Sequence, residues 1–463
     1  MAELHELTAF ELSAAYAAGR LSPKQVTQAL TDHISRWEPH IAALWRYEPE
    51  QALAQASAAE QRWQSGQALS PLDGVPVTLK ENIATRGVPV PLGCAATELL
   101  PAVDDAPPAA RLREAGTVLL GKTTMPDWGM LSSGLSSFHR LTRNPWNLAK
   151  NPGGSSAGAG AAAAAGYGPI HLGTDIGGSI RLPAHWCGVV GFKPSLGRVP
   201  IKPPYAGRVA GPITRNVTDA ALAMSVLSRP DWRDTTSLPP QAIDWMALER
   251  DARGLRIGLW LDAGWGDALQ PEVRAAVASA AAAFEAAGAT VVPIAPFSTR
   301  KMIEGLDRFW RMRSWLDYRN LPPERQAKVL PYIRQWIASG ERLSGEEVFT
   351  GYSQMGALRD AAVAALQGLD VLLAPVSPDV AFAAEQASPL NDPERPFEHV
   401  AYTVAFNFSE QPAISVPAAM SSDGLPIGLQ IIGHRHDDLG VLRVARLWEQ
   451  LRGPLPAGPV LPR

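Results

Sequence analysis

Two serines set among glycines are the residues of this chain best suited to covalent chemistry: Ser155 in Gly153-Gly154-Ser155-Ser156-Ala157-Gly158, and Ser179 in Gly173-Thr174-Asp175-Ile176-Gly177-Gly178-Ser179-Ile180-Arg181. Glycine beside a serine removes side-chain bulk and admits positive φ, so the backbone can turn sharply, present the hydroxyl and aim neighbouring N–H groups at one point. Converging amides of that kind stabilise the oxyanion of an acyl transfer. A serine nucleophile also needs a base. The apolar run Val75-Pro76-Val77-Thr78-Leu79 ends in Lys80, and burial at a strand end disfavours the ammonium form, which turns a lysine into a base near neutral pH. The alanine-rich run Ala157–Ala165 reads as a short helix with the two serines at its opposite ends.

Lys80 in VPVTLKENI, Ser155 in PGGSSAGAG and Ser179 in GTDIGGSIRLPA resemble the Ser-cisSer-Lys triad of the amidase signature hydrolases, and the spacing between the two serines matches that family. The likeness continues through Gly121-Lys122-Thr123-Thr124, Arg143-Asn144-Pro145-Trp146 and Gly188 to Pro194, and then Gln411 to Pro417 and Gly424 to Gln430, so it spans most of the chain. It implies an α/β fold with a central mixed β-sheet flanked by helices, and one catalytic domain over 1–463. The N-terminal helices would cover about 1–68, and a helical cap over the substrate channel about 296–365. It also implies roles: Ser179 as nucleophile, Ser155 on a cis peptide as proton carrier, and Lys80 as base. The amides of Ile176, Gly177, Gly178 and Ser179 would form the oxyanion hole. Ser156 is expected to support the site by hydrogen bonding, and Asp175 and Arg181 to pair and orient the loop. His185 and Cys187 are expected to pack nearby without acting in catalysis. Gly129, Met130 and Leu131 fall where the family lines its acyl pocket, although as bare sequence the segment reads equally well as an ordinary loop. Ala157 and Ala159 stand where the family pattern has glycine and serine, a change that affects packing more than chemistry.

Two other motifs compete for these residues. Gly116-Thr117-Val118-Leu119-Leu120-Gly121-Lys122-Thr123 matches a phosphate-binding P-loop letter for letter, but such a loop needs the intervening residues as an exposed turn after a strand, and Thr-Val-Leu-Leu reads as the strand itself. Gly154-Ser155-Ser156-Ala157-Gly158 fits a G-x-S-x-G nucleophile elbow on Ser156. That elbow requires an acid and a histidine downstream, and His399, His434 and His436 are expected in polar loops with nothing to mark one as a base.

The elements that must position this chemistry alternate between helix and strand. Leu7, Phe10, Leu12 and Tyr16 recur on one helical face, as do Val26, Leu30 and Ile34 after Pro23, and a third helix is expected over Pro49 to Ser65. Gly74 to Leu79 and Thr117 to Leu120 read as strands around a short helix at Ala109 to Ala115. Arg256 to Leu261, Pro271 to Ala287 and Thr290 to Ile294 form a βαβ-like unit. Asp370 to Ala374 reads as a further strand. Between 296 and 365 a helical stretch carries Trp310, Trp315, Tyr318, Tyr332, Trp336 and Phe349. As bare sequence such a stretch reads more readily as plain core; the resemblance makes it, with Met130 and Leu131, the expected wall of the substrate pocket.

Composition narrows the classes. The 463 residues are 46% hydrophobic and 19% charged, as befits a globular protein with a large core. A net charge of −3 offers no basic footprint for nucleic acid, and no run of about 18 or more apolar residues indicates a membrane span. The opening residues are acidic, without a basic stretch before an apolar core, so no signal peptide is expected. Two cysteines, Cys94 and Cys187, suit reduced thiols in a cytoplasm. The expected protein is a metal-free and cofactor-free amidase, monomer or homodimer, acting on a small-molecule aryl or alkyl amide, with esters and carbamates open to the same chemistry. Its rivals are the glutaminase subunit of a tRNA amidotransferase and a catalytically silent binding protein on the same scaffold.

Overall fold

The computed structural model describes residues 3–455 and 458–462. Its strands are β1 (Leu44–Tyr47), β2 (Pro76–Lys80), β3 (Val118–Thr123), β4 (Ile170–Asp175), β5 (Val190–Lys193), β6 (Val209–Thr214), β7 (Arg256–Leu259), β8 (Thr290–Pro293), β9 (Val371–Pro375), β10 (Ala413–Met420) and β11 (Pro426–Ile432). They form one 11-stranded mixed sheet in the order β1-β3-β2-β4-β6-β5-β10-β11-β9-β7-β8, flanked by helices. β3, β2 and β4 run parallel, as do β9, β7 and β8, and the strands between these groups pair antiparallel. β2 and β4 are buried throughout, because helices cover both faces of a parallel segment and leave no polar side to alternate.

Two strands escaped the sequence pattern, β4 because burial on both faces leaves no alternation and β1 because it is only four residues long. The segment between Ser155 and Ser179 is the helix Ala157–Ala164 followed by β4, not one helix joining the two serines. β1, another strand hidden from the pattern, interrupts the N-terminal helices Ala9–Ala17, Pro23–Ile41 and Pro49–Gln64. Leu12, Tyr16, Val26, Leu30 and Ile34 are buried as expected, whereas Phe10 is 52% exposed, so the first helix packs through Ala9, Leu12, Ala15 and Tyr16 instead. The unit from β7 through the helix Pro271–Ala286 to the parallel strand β8 is the expected βαβ. Gly121-Lys122-Thr123 lies inside β3, with Lys122 buried and donating to the Ile83 carbonyl, which leaves no exposed loop to cradle a phosphate.

The small residues of the helix Ala157–Ala164 bring it into close contact with its neighbours. A Cβ on Gly158 would stand 2.2 Å from the Ala43 carbonyl oxygen, so this helix touches backbone where a larger residue would push it away. It carries Ser155 and Ser156, at its start, up to β2 and β4.

Candidate active site

Because β2 and β4 are parallel neighbours, their carboxyl ends open on the same edge of the sheet, the position where such sheets hold ligands. Lys80 ends β2 there with a fully buried side chain. Its Nζ donates to Ser155 Oγ at 2.8 Å and to Ser156 Oγ at 3.1 Å, and the Gly154–Ser155 peptide is cis. Among the described residues no carboxylate lies within ion-pair distance of Nζ. Burial holds the Lys80 pKa well below its ordinary value, and the Arg208 cation adds to that effect against the opposing pull of Asp175 and Glu81. Both effects favour the neutral amine, the form that can accept a proton. Ser156 Oγ bonds to the Thr174 carbonyl at 3.2 Å and accepts from the Thr174 N–H at 3.3 Å, while its own N–H donates to the Ser179 carbonyl at 3.2 Å. Ser156 thus fastens the two serine segments together, and no histidine approaches it as a nucleophile elbow would need.

Ser179 sits in the loop between β4 and the helix Arg181–Cys187. Asp175 and Arg181, both wholly buried, grip this loop from its two ends through bonds of 3.1 and 3.0 Å. The remaining Arg181 donors reach the Thr403 carbonyl at 2.9 Å, Gln430 Oε1 at 2.8 Å and Asn407 Oδ1 at 2.6 Å. Burial alone would raise the Asp175 pKa, but the Arg181 guanidinium outweighs it and holds the carboxyl well below the usual range. Nothing local in the chain marks Asn407 and Gln430 as members of this knot. Truncating one member of a buried ion pair strands the other charge, at a cost of about 3–5 kcal/mol. Arg181→Met is accordingly expected to lower unfolding stability by about that amount in urea titration, and a loss below about 1 kcal/mol would show that the knot does not hold the loop.

The same knot corrects one expected role. The Gly178 N–H donates to Asp175 Oδ1 at 2.8 Å, so it faces the carboxylate and is not available to an oxyanion. Among the described residues, the amides of Ile176, Gly177 and Ser179 donate to no protein group. Ile176, Gly177 and Ser179 also line a cavity that Gly178 does not reach.

Two cavities meet at Ser179. The smaller, about 70 Å³, is walled by Trp128, Met130, Leu131, Trp310, Trp336 and Phe397. The larger, about 500 Å³, is bordered by Ser155, Asn82, Tyr205, Arg208, Arg313 and Asp317. Gly129 lines both at φ +70°, and a Cβ there would come within 3.3 Å of Ser155 Oγ. Ser155 Oγ and Ser179 Oγ share the larger cavity, and among the described residues no hydrogen bond joins them; such bonds are often long in empty sites and tighten around a substrate. The aromatic cap contributes less than expected. Phe349 is 72% exposed, and Trp315, Tyr318 and Tyr332 pack behind Leu131 without lining either cavity.

His399 is not the polar loop residue its neighbours suggested. It is buried in the wall of the smaller cavity, where desolvation lowers its pKa to about 3, and its Nε2, like Trp310 Nε1, has no partner among the described residues. His434 Nε2 is bonded to the Leu369 carbonyl at 2.7 Å. His185 is pinned between the Gly428 N–H at 2.7 Å and the Asp379 carbonyl at 3.0 Å, and Cys187 Sγ contacts the Pro152 carbonyl at 3.3 Å, so both are packed groups.

Comparison with known proteins identifies the family. The Amidase family model matches residues 25–442. The chain is 35% identical to a glutamyl-tRNA(Gln) amidotransferase subunit of Chloroflexus aggregans, over 97% of each chain. It is 34% identical to an acylamidase of Rhodococcus erythropolis, over 97% of this chain and 96% of the other. The crystal structure of a bacterial aryl acylamidase of the amidase signature enzymes superposes with a TM-score of 0.88 at 31% identity, covering 97% of both chains. The chain belongs to the amidase signature family, hydrolases that act on C–N bonds.

Proposed function

We propose that this protein hydrolyses an amide with an apolar acyl group through an acyl-enzyme on Ser179. The observation that carries the reading is the buried Lys80 amine, hydrogen-bonded to Ser155 and in ion-pair contact with no carboxylate among the described residues. Lys80 accepts the Ser155 proton as Ser155 takes that of Ser179, and Ser179 Oγ bonds to the acyl carbon. The amides of Ile176, Gly177 and Ser179 receive the oxyanion. The C–N bond then breaks, with Ser155 delivering the proton to the departing nitrogen. Water adds to the acyl carbon by the same relay, releasing the acid and restoring Ser179, so one water is consumed per amide. Esters and carbamates present the same carbonyl. Fluorophosphonate labelling at Ser179, combined with a screen of anilides, primary amides, esters and aryl carbamates, tests the reading; an unlabelled serine and no turnover would leave the silent-scaffold alternative.

The walls of the smaller cavity favour an apolar acyl group. Each methylene buried there is worth about 0.8 kcal/mol, or about fourfold in kcat/KM. Kinetics on a homologous series of acyl anilides should show that gain over the first few carbons and then a plateau. A preference for glutamine over every acyl anilide would instead favour the amidotransferase reading.

A further inference from the structure

Two cations border the larger cavity with no carboxylate paired to them. The Arg208 N–H closes a turn on the Tyr205 carbonyl at 3.0 Å, and Arg313, from the helix Arg300–Arg319, stacks its guanidinium over the Tyr205 ring at 4.9 Å. Both line the cavity that holds Ser155 and Ser179; Arg313 also reaches the rim of the smaller cavity, whereas Arg208 and Tyr205 border the larger one alone. Among the described residues neither forms an ion pair, and the Arg208 side chain donates to the Pro203 carbonyl at 3.4 Å. Asp317, one turn beyond Arg313, borders the same cavity outside ion-pair distance of both, and Asp175 is taken by Arg181. The Tyr205 hydroxyl, in the same wall, is buried and has no partner among the described residues. Partly desolvated like charges repel until an anion lies between them, and a guanidinium fork fits a carboxylate.

The position of Ser155 decides which half of the substrate carries that anion. Ser155 borders the larger cavity and not the apolar one. As the group that protonates the departing nitrogen, it puts the amine half in the larger cavity and the acyl half in the smaller. We propose that the substrate is an amide whose amine half bears a carboxylate, the N-acyl amino acid class, held by Arg208 and Arg313. This rests on the hydrolase reading of Ser155 and Ser179. Hydrolysis would release an apolar acid and a free amino acid. Glutamine does not fit this placement, since its charges lie on the acyl side and its leaving group is ammonia.

Binding separates this proposal from that reading because it needs no turnover. Calorimetry on Ser179→Ala should find N-benzoylglycine bound about ten- to hundredfold more tightly than neutral N-benzoylglycinamide. That ratio should collapse toward one when Arg313→Gln or Arg208→Gln is added. In the otherwise wild-type enzyme, the ratio of kcat/KM for the same two compounds should fall in parallel. Equal binding of the two compounds, a ratio untouched by both arginine substitutions, or a preference for N-benzoylethylenediamine, whose cation would seek Asp317, overturns the proposal. Carboxylate preference without any hydrolysis would remove the hydrolase reading and leave the anion site standing.

Discussion

Ser179→Ala is expected to reduce kcat/KM on the order of 10,000-fold or more, because loss of a covalent nucleophile removes the pathway rather than one contact. The fold should not suffer. Among the described residues Ser179 Oγ makes no hydrogen bond, so deleting it strands no buried partner, and the melting temperature should move by less than about 2 °C. Intact-mass spectrometry should also show the fluorophosphonate adduct of the wild type absent from the variant. An alanine variant that still turns over substrate at a few percent of the wild-type rate, or still takes up the label at its former stoichiometry, would transfer the role to another residue. Ser156 would then be first to test, since it too bonds Lys80.

Lys80→Met should cost about 100- to 10,000-fold, the range for a positioned general base. The pH profile carries more information than the size of the loss. Burial first, and the Arg208 cation second, depress the Lys80 pKa, and only the neutral amine can accept the Ser155 proton. In wild type, kcat/KM should therefore fall as the pH drops through that lowered pKa and level off above it. In Lys80→Met the acid limb from this group should vanish, leaving a residual rate flat across the same window. A methionine variant with the wild-type acid limb would show that another group titrates, and a wild-type profile flat down to the carboxylate range would show that Lys80 does not gate the reaction.

Lys80, Ser155 and Ser179 could be singled out because their motifs together resemble one family pattern, an apolar strand ending in a charge and two serines each preceded by glycine, and the structure brings all three to one end of the sheet. The residues that read poorly depend on three-dimensional context. Gly178 shares the glycine run of its neighbours, yet its amide turns into Asp175, and only the fold distinguishes it from Gly177. His399 stands between Glu398 and Val400 in sequence, which does not show that it is buried in the wall of the smaller cavity. Asn407 and Gln430 stand 226 and 249 positions from Arg181, beyond any window of periodicity. β4 was hidden by the full burial that sets it beside β2. Phe349 misled in the other direction, because aromatic content on the cap helix does not reveal which face meets the site.

The Arg181 knot also sets a timetable for synthesis. A ribosome that has not yet passed Thr403 has released Lys80, Ser155 and Ser179, but Asp175 is the only partner of the guanidinium that the nascent chain can supply. The loop that bears Ser179 is thus locked by residues translated 222 to 249 positions after Arg181. A nascent chain that stops short of them carries Lys80, Ser155 and Ser179 without the contacts that fix the Ser179 loop.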